Sequence, residues 1–123
     1  MTFFLALLIK HAIVDLAVQA HLKDINKHRY ISNAHIHYLH HGISTLIIAL
    51  FFVDPVLAIA CAIIDYTMHW HIDFAKHRVN NYFNIESRSI AWWWTNAIDS
   101  ALHVLTYFVI VQFALYNFTI AQS

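Results

Sequence analysis

An all-α, four-helix transmembrane bundle is the fold class that three features predict. The 123 residues are 60% hydrophobic and only 11% charged, with a mean hydropathy of +0.55, whereas soluble domains carry about a quarter charged residues. One Gly and one Pro leave no material for turn-rich β folds. Four separate stretches each supply the roughly 20 largely apolar residues that cross about 30 Å of hydrocarbon. The length suits a single integral membrane domain over 1–123. One Cys excludes a disulfide framework or a Cys-rich zinc module. Seven basic and seven acidic residues leave no basic face for nucleic acid.

The first expected span covers residues 2–21. It lacks a basic leader and a small-residue cleavage site, and it carries Lys10, His11 and Asp15 within the apolar run, so it reads as retained rather than as a signal peptide. The second covers 32–53 and the third 55–75. Only Asp54 and Pro55 mark the break between them, and Pro at a first helical turn makes this a tight helical hairpin. The fourth covers 90–116, after a polar stretch in which Asn80-Asn81 reads as the turn. Lys23, Lys27 and Arg29 lie in the first connection and Lys76, Arg78 and Arg88 in the third. Lys10 is the seventh basic residue. The positive-inside rule then puts both connections in the cytoplasm and both termini outside, in an antiparallel up-down order. Trp92, Trp93 and Trp94 fit an interfacial aromatic belt where the fourth span enters.

Ionisable residues inside spans are costly and signal function. Here they recur at i, i+4, which stacks them on one helix face. The first span has His11, Asp15 and Gln19; the second His37 and His41; the third Asp65, His69 and Asp73; the fourth Asp99 and His103, with Asn96 just before. Counted at about 1.5 Å per residue from the cytoplasmic ends, Asp15, His41, His69 and Asp99 all fall roughly 10 Å deep. One polar cluster in the cytoplasmic half of the bundle is expected. Imidazoles and carboxylates converging in a bundle core form a divalent-metal ligand set suited to zinc, manganese or iron.

His37, His41, His69, Asp73 and Asp99 are the expected ligands. His11, Asp15 and His103 are further ligands or general acid/base groups, and Gln19 and Asn96 orient ligands from behind. Lys27, Arg29, Lys76 and Arg78 form a rim for an anionic lipid headgroup or phosphorylated substrate. His21, His28, His35 and His77 lie near span ends, and Lys10 pairs or snorkels in the outer part of the bundle.

The ordered motifs His11-x3-Asp15-x3-Gln19, Asn26-Lys27, His37-x3-His41, His69-x3-Asp73-x2-Lys76 and Asp99-x3-His103 resemble the domain of unknown function 3307 family. Its members are small polytopic membrane proteins of bacteria and phages. Val14 and Ser100 stand where that pattern has a small residue and Gln. The resemblance implies a four-span protein of the bacterial inner membrane, encoded by a bacterium or a phage and distantly similar to membrane-bound metal-dependent hydrolases. Hydrolysis of a phosphoester or lipid-like substrate is therefore the leading expectation. A metal-ion or proton transporter, a haem-binding bundle and a small pore former are the alternatives.

Overall fold

A computed structural model describes residues 1–22 and 25–123, leaving aside the side chains of Gln19 and Gln122. Four helices organise it: α1 (Thr2–Ile13), α2 (His35–Ala49), α3 (Pro55–Tyr82) and α4 (Ile90–Gln122), with no strand among the described residues. α2 packs along α3 and α3 along α4, while α1 contacts both α2 and α4. Chain neighbours are thus spatial neighbours, and short connections make them antiparallel.

The expected first span is helical throughout but not uniformly so. α1 passes into a π-helical turn over Val14–Val18 and a 3-10 turn over Gln19–His21. Such a π turn adds a residue per turn and re-aims the side chains on it. Asp15 sits on it. The second expected span is shortened to α2. Residues 26–34 are instead held by side-chain bonds: Asn26 N–H donates to Asn33 Oδ1 at 2.8 Å, His28 N–H to Asn26 Oδ1 at 3.1 Å, and Ser32 Oγ to the Asn26 carbonyl. These side chains compete with the helix for backbone groups and delay its start. Beyond Ala49 the chain tightens into i→i+3 turns (Phe51 N–H to Ile48 O, 3.1 Å; Phe52 N–H to Ala49 O, 2.8 Å) before Asp54.

Asp54 caps α3 as the hairpin reading requires, accepting from Val56 N–H at 3.0 Å and Leu57 N–H at 3.1 Å. The turn expected at Asn80-Asn81 is displaced: both residues belong to α3, which runs on past residue 75 to Tyr82. Asn84 takes the left-handed conformation (φ 49°). Ile85 N–H returns to Asn80 O (2.8 Å) and Asn84 N–H to Asn81 O (3.3 Å), the paired bonds of a Schellman stop. Ser89 caps α4 through Trp92 N–H at 3.1 Å, and α4 exceeds its expected end at residue 116. Trp93 and Trp94 are exposed at its start.

The interior has two zones. Around the 50–54 turn it is apolar, built from Phe3, Leu7, Ala49, Val53, Ala58, Ile110 and Ala114, with Phe3 stacked on Phe52 (centroids 4.7 Å apart). Toward the other end it is polar: Lys10, His37, His41, Thr45, Asp65, His69, Asp73 and His103 are buried. The outside is apolar, with Leu5, Ile9, Ile36, Leu39, Ile43, Ile47, Ile59, Ile63, Leu105 and Phe108 all exposed. Among the described residues one helical stretch, Ile90–Ala121, is long and apolar enough to cross a membrane, with a mean hydropathy of 1.7. As α-helices, α1 and α2 have only 12 and 15 residues.

Gly42 sets the approach of α2 to α3. A Cβ there would stand 3.3 Å from both Ala62 O and Tyr66 Cβ. Gly42→Ala is therefore expected to stay close to neutral, because a helix-propensity gain of about 1 kcal/mol offsets the crowding. Gly42→Leu must push the helices apart and lower the thermal midpoint, which a melt of the purified protein measures.

Candidate metal centre

Each helix contributes to the polar zone through the spacing that placed its side chains on one face. The eight expected ligand and acid/base residues all come together, forming three groups whose ligand atoms lie within 4.8 Å of one another: Asp15, His37, His41 and His69; His11, His69 and His103; and Asp73, Asp99 and His103. The imidazoles touch directly. His41 stacks on His69 at 3.7 Å, His69 lies 4.2 Å from His103, His37 4.6 Å from His41 and His11 4.8 Å from His103, centroid to centroid.

Asp15 is the hub of the first group. Its Oδ1 lies 3.0 Å from His41 Nε2 and 3.4 Å from His37 Nε2, and its Oδ2 lies 3.1 Å from His11 Nε2. Asp73 is the hub of the third group: Oδ1 is 3.3 Å from His103 Nε2, and Oδ2 is 3.8 Å from His69 Nε2 and 4.0 Å from His37 Nε2. Asp99 Oδ1 faces His103 Nε2 at 3.7 Å. Both ring nitrogens of His37, Nδ1 of His69 and Oδ1 of Asp99 are buried and make no hydrogen bond. Buried polar atoms left this way are costly unless a ligand satisfies them. A cation among them would do so.

The expected rim of four cations does not form. Lys27 turns inward and donates to Asp73 Oδ2 at 2.5 Å, and Lys76 donates to Asp99 Oδ2 at 3.0 Å. Buried Asp73 and partly buried Asp99 would be costly uncompensated charges, and the two ammoniums pair with them. Arg78 lies over the Phe74 ring at 6.0 Å. Arg29 and Arg78 both keep the expected exposure, Arg29 beside Asn26 and Ser32 in a shallow groove. The Asn96 amide donates to Trp92 O of its own helix at 2.8 Å rather than to a member of the cluster among the described residues. The Gln19 side chain and Lys23 lie outside the described residues.

Of the two expected roles Lys10 takes pairing, buried inside the bundle. Its ammonium donates to Asp65 Oδ2 at 2.7 Å and to Tyr107 OH at 3.1 Å and lies 3.3 Å from His41 Nδ1. Thr45 Oγ1 adds a 2.5 Å bond to Asp65 Oδ2, and Tyr107 OH meets His11 Nδ1 at 2.9 Å. Thr45 and Tyr107 were not among the expected site residues. Each lies four positions beyond a stripe histidine, His41 and His103, so the same spacing carried one step further finds both.

Beyond the expected third span, His28 and His77 meet edge to face at 5.0 Å beside a polar pocket of about 350 Å³ that Asn80, Asn81, Asn84 and Trp92 also line. Burial, then the charges of Lys76 and Lys27, push the His77 imidazolium down to about 4, so His77 is neutral at pH 7 and adds no charge to the lysine layer.

Comparison with protein-family models, curated proteins and solved structures gives no match. The architecture and the site by themselves define an all-helical protein with buried His/Asp groups able to hold a metal ion.

Proposed function

We propose that the chain is a multi-pass membrane protein that holds a divalent metal between its helices and uses it for hydrolysis of a phosphoester or lipid-like substrate. The observation that carries this reading is the gathering of five imidazoles and three carboxylates from all four helical segments into contiguous groups. Asp73 and four of these imidazoles, His37, His41, His69 and His103, are withdrawn from solvent, an arrangement whose cost a metal offsets.

The membrane part of the reading rests on inversion. Charged and polar side chains fill the middle while large aliphatic side chains cover the outside, which in water would leave apolar patches far beyond those of ordinary monomers. A bilayer turns that surface from a liability into the favoured one. α1 and α2 fall short on length, α1 through its passage into the π turn and α2 through the bonds that hold residues 26–34. α3 falls short on apolarity because Asp65, His69 and Asp73 sit on its inward face. The basic connections favour a centre toward the cytoplasmic side of a bacterial inner membrane.

A metal there would lower the pKa of a bound water and polarise an ester or phosphoryl oxygen. His11, which touches His69 and His103 and is tied to Asp15 and Tyr107, is placed to accept or return a proton beside the ligands. The pocket at His28 and His77 opens next to the lysine layer and offers amide groups and the Trp92 ring to a headgroup. Zinc suits the imidazole-rich groups, and manganese or iron the carboxylate-rich one.

The test uses detergent-purified protein and chromogenic phosphomonoester, phosphodiester and carboxylic ester probes. Turnover of at least one probe, lost on chelation, restored by metal and lost in His11→Ala with metal retained, is the expected result. A metal-loaded protein inert toward all three probes removes the hydrolase reading.

A transport reading has one observation in its favour: the Lys10–Asp65–Tyr107 network continues the polar interior away from the ligands. Metal or proton flux in liposomes that His69→Ala abolishes would support it. A haem reading is disfavoured by imidazoles in mutual contact, which leave no slot for a porphyrin.

A further inference from the structure

We propose, building on the metal-centre reading, that the centre takes two divalent cations, and that Lys27 and Lys76 compete with the second. The three ligand groups are not equivalent. Asp15, His37, His41 and His69 share no residue with Asp73, Asp99 and His103, so both end groups can be filled at once. The middle group borrows His69 from one and His103 from the other, so an ion there would exclude its neighbours. His11 is left between the two positions, 5.3 Å from His69 and 4.8 Å from His103 by ring centroid.

The two end groups also differ in chemistry. The first is three imidazoles and one carboxylate, a nitrogen-rich set for a borderline-soft ion. The second is two carboxylates and one imidazole, a harder set that favours manganese, magnesium or ferrous iron.

Charge separates them further. Asp15 is surrounded by imidazoles, whereas Asp73 and Asp99 are each held by a lysine ammonium, at 2.5 Å and 3.0 Å. Two ammoniums supply the same +2 as one divalent ion. Asp73 Oδ1 and Asp99 Oδ1 both turn toward His103, at 3.3 Å and 3.7 Å, while their Oδ2 atoms take the lysines. Asp99 Oδ1 is buried with no hydrogen bond and is the oxygen a cation would claim. The second ion must therefore bind more weakly than the first, because its charge is already partly matched. Displaced lysines would then face the pocket side and become available to an anionic substrate, coupling metal loading to substrate capture.

The experiment is a manganese titration of chelator-stripped, detergent-purified full-length protein, read as bound metal per chain. Wild type is expected to saturate at two ions in two separated steps. Asp99→Asn, which keeps the shape and removes the charge, should fall to one ion while retaining the tighter step, and that retained step shows the variant is folded. Lys27→Met and Lys76→Met should keep both ions and shift the weaker step to lower free manganese. Saturation of wild type at one ion, or two ions retained in Asp99→Asn, overturns the two-ion proposal and leaves the single-ion reading standing, whereas a weaker step unmoved or lost in both lysine variants overturns the competition by Lys27 and Lys76. Failure to bind any ion overturns both.

Discussion

Lys10→Met alone is expected to destabilise the bundle by about 3–5 kcal/mol, because it strands Asp65 as an uncompensated buried charge. The side chains of this pair are 4% and 1% exposed and its N–O distance is 2.7 Å. Thr45 and Tyr107 complete the shell of hydrogen bonds around it. Asp65→Leu should cost a comparable amount for the mirrored reason. The double variant Lys10→Met with Asp65→Leu should recover much of the loss, since an apolar pair of similar volume needs no desolvation. Denaturation in mixed micelles, run as a double-mutant cycle, measures the coupling. Additive losses would mean that the pair is not the unit this geometry describes. Because Lys10 also approaches His41 Nδ1, the double variant further reports whether the network supports the centre or only the fold.

His69→Ala is expected to have the largest effect on the site. His69 belongs to two of the three ligand groups and its ring touches His11, His37, His41 and His103. Its removal deletes a ligand and opens a gap under the stacked His41. Loss of a residue behind a metal ligand commonly costs 10–100-fold in affinity, so loss of a ligand should weaken metal binding by more than about 100-fold. Any metal-dependent turnover should vanish with it. Equilibrium dialysis with the metal present in the purified protein measures the first effect and the ester probes the second. Wild-type affinity in His69→Ala would remove His69 from the ligand set.

The site was legible where a local period could carry it. His37/His41, His69/Asp73 and Asp99/His103 are polar pairs in apolar helices, and the i, i+4 spacing alone puts each pair on one face. Equal depth then suggested that the faces meet, and they do. Lys27 was misread because its partner Asp73 is 46 positions away and on another element. No periodicity links a loop lysine to a buried aspartate, and by default a loop lysine faces water. Asn96 was misread because a helical Asn has its own i−4 carbonyl within reach. The π turn at Val14–Val18 leaves no mark in residue type, although it bears Asp15. The stop of α3 turned on the residue that takes the left-handed conformation, and Asn84 serves there rather than the earlier Asn80-Asn81 pair. Helix class and order followed from hydropathy, whereas helix ends followed from caps and side-chain competition that hydropathy does not see.

The measurement that bears most directly on the central claim is elemental analysis of the detergent-purified wild-type protein beside His41→Ala and Asp73→Ala. Stoichiometric zinc, manganese or iron in the wild type, and its loss or reduction in both folded variants, is the predicted result. Wild-type protein that is folded, metal-free and unable to take up any of the three would contradict the account, leaving the clustered imidazoles and carboxylates as a hydrogen-bonded core.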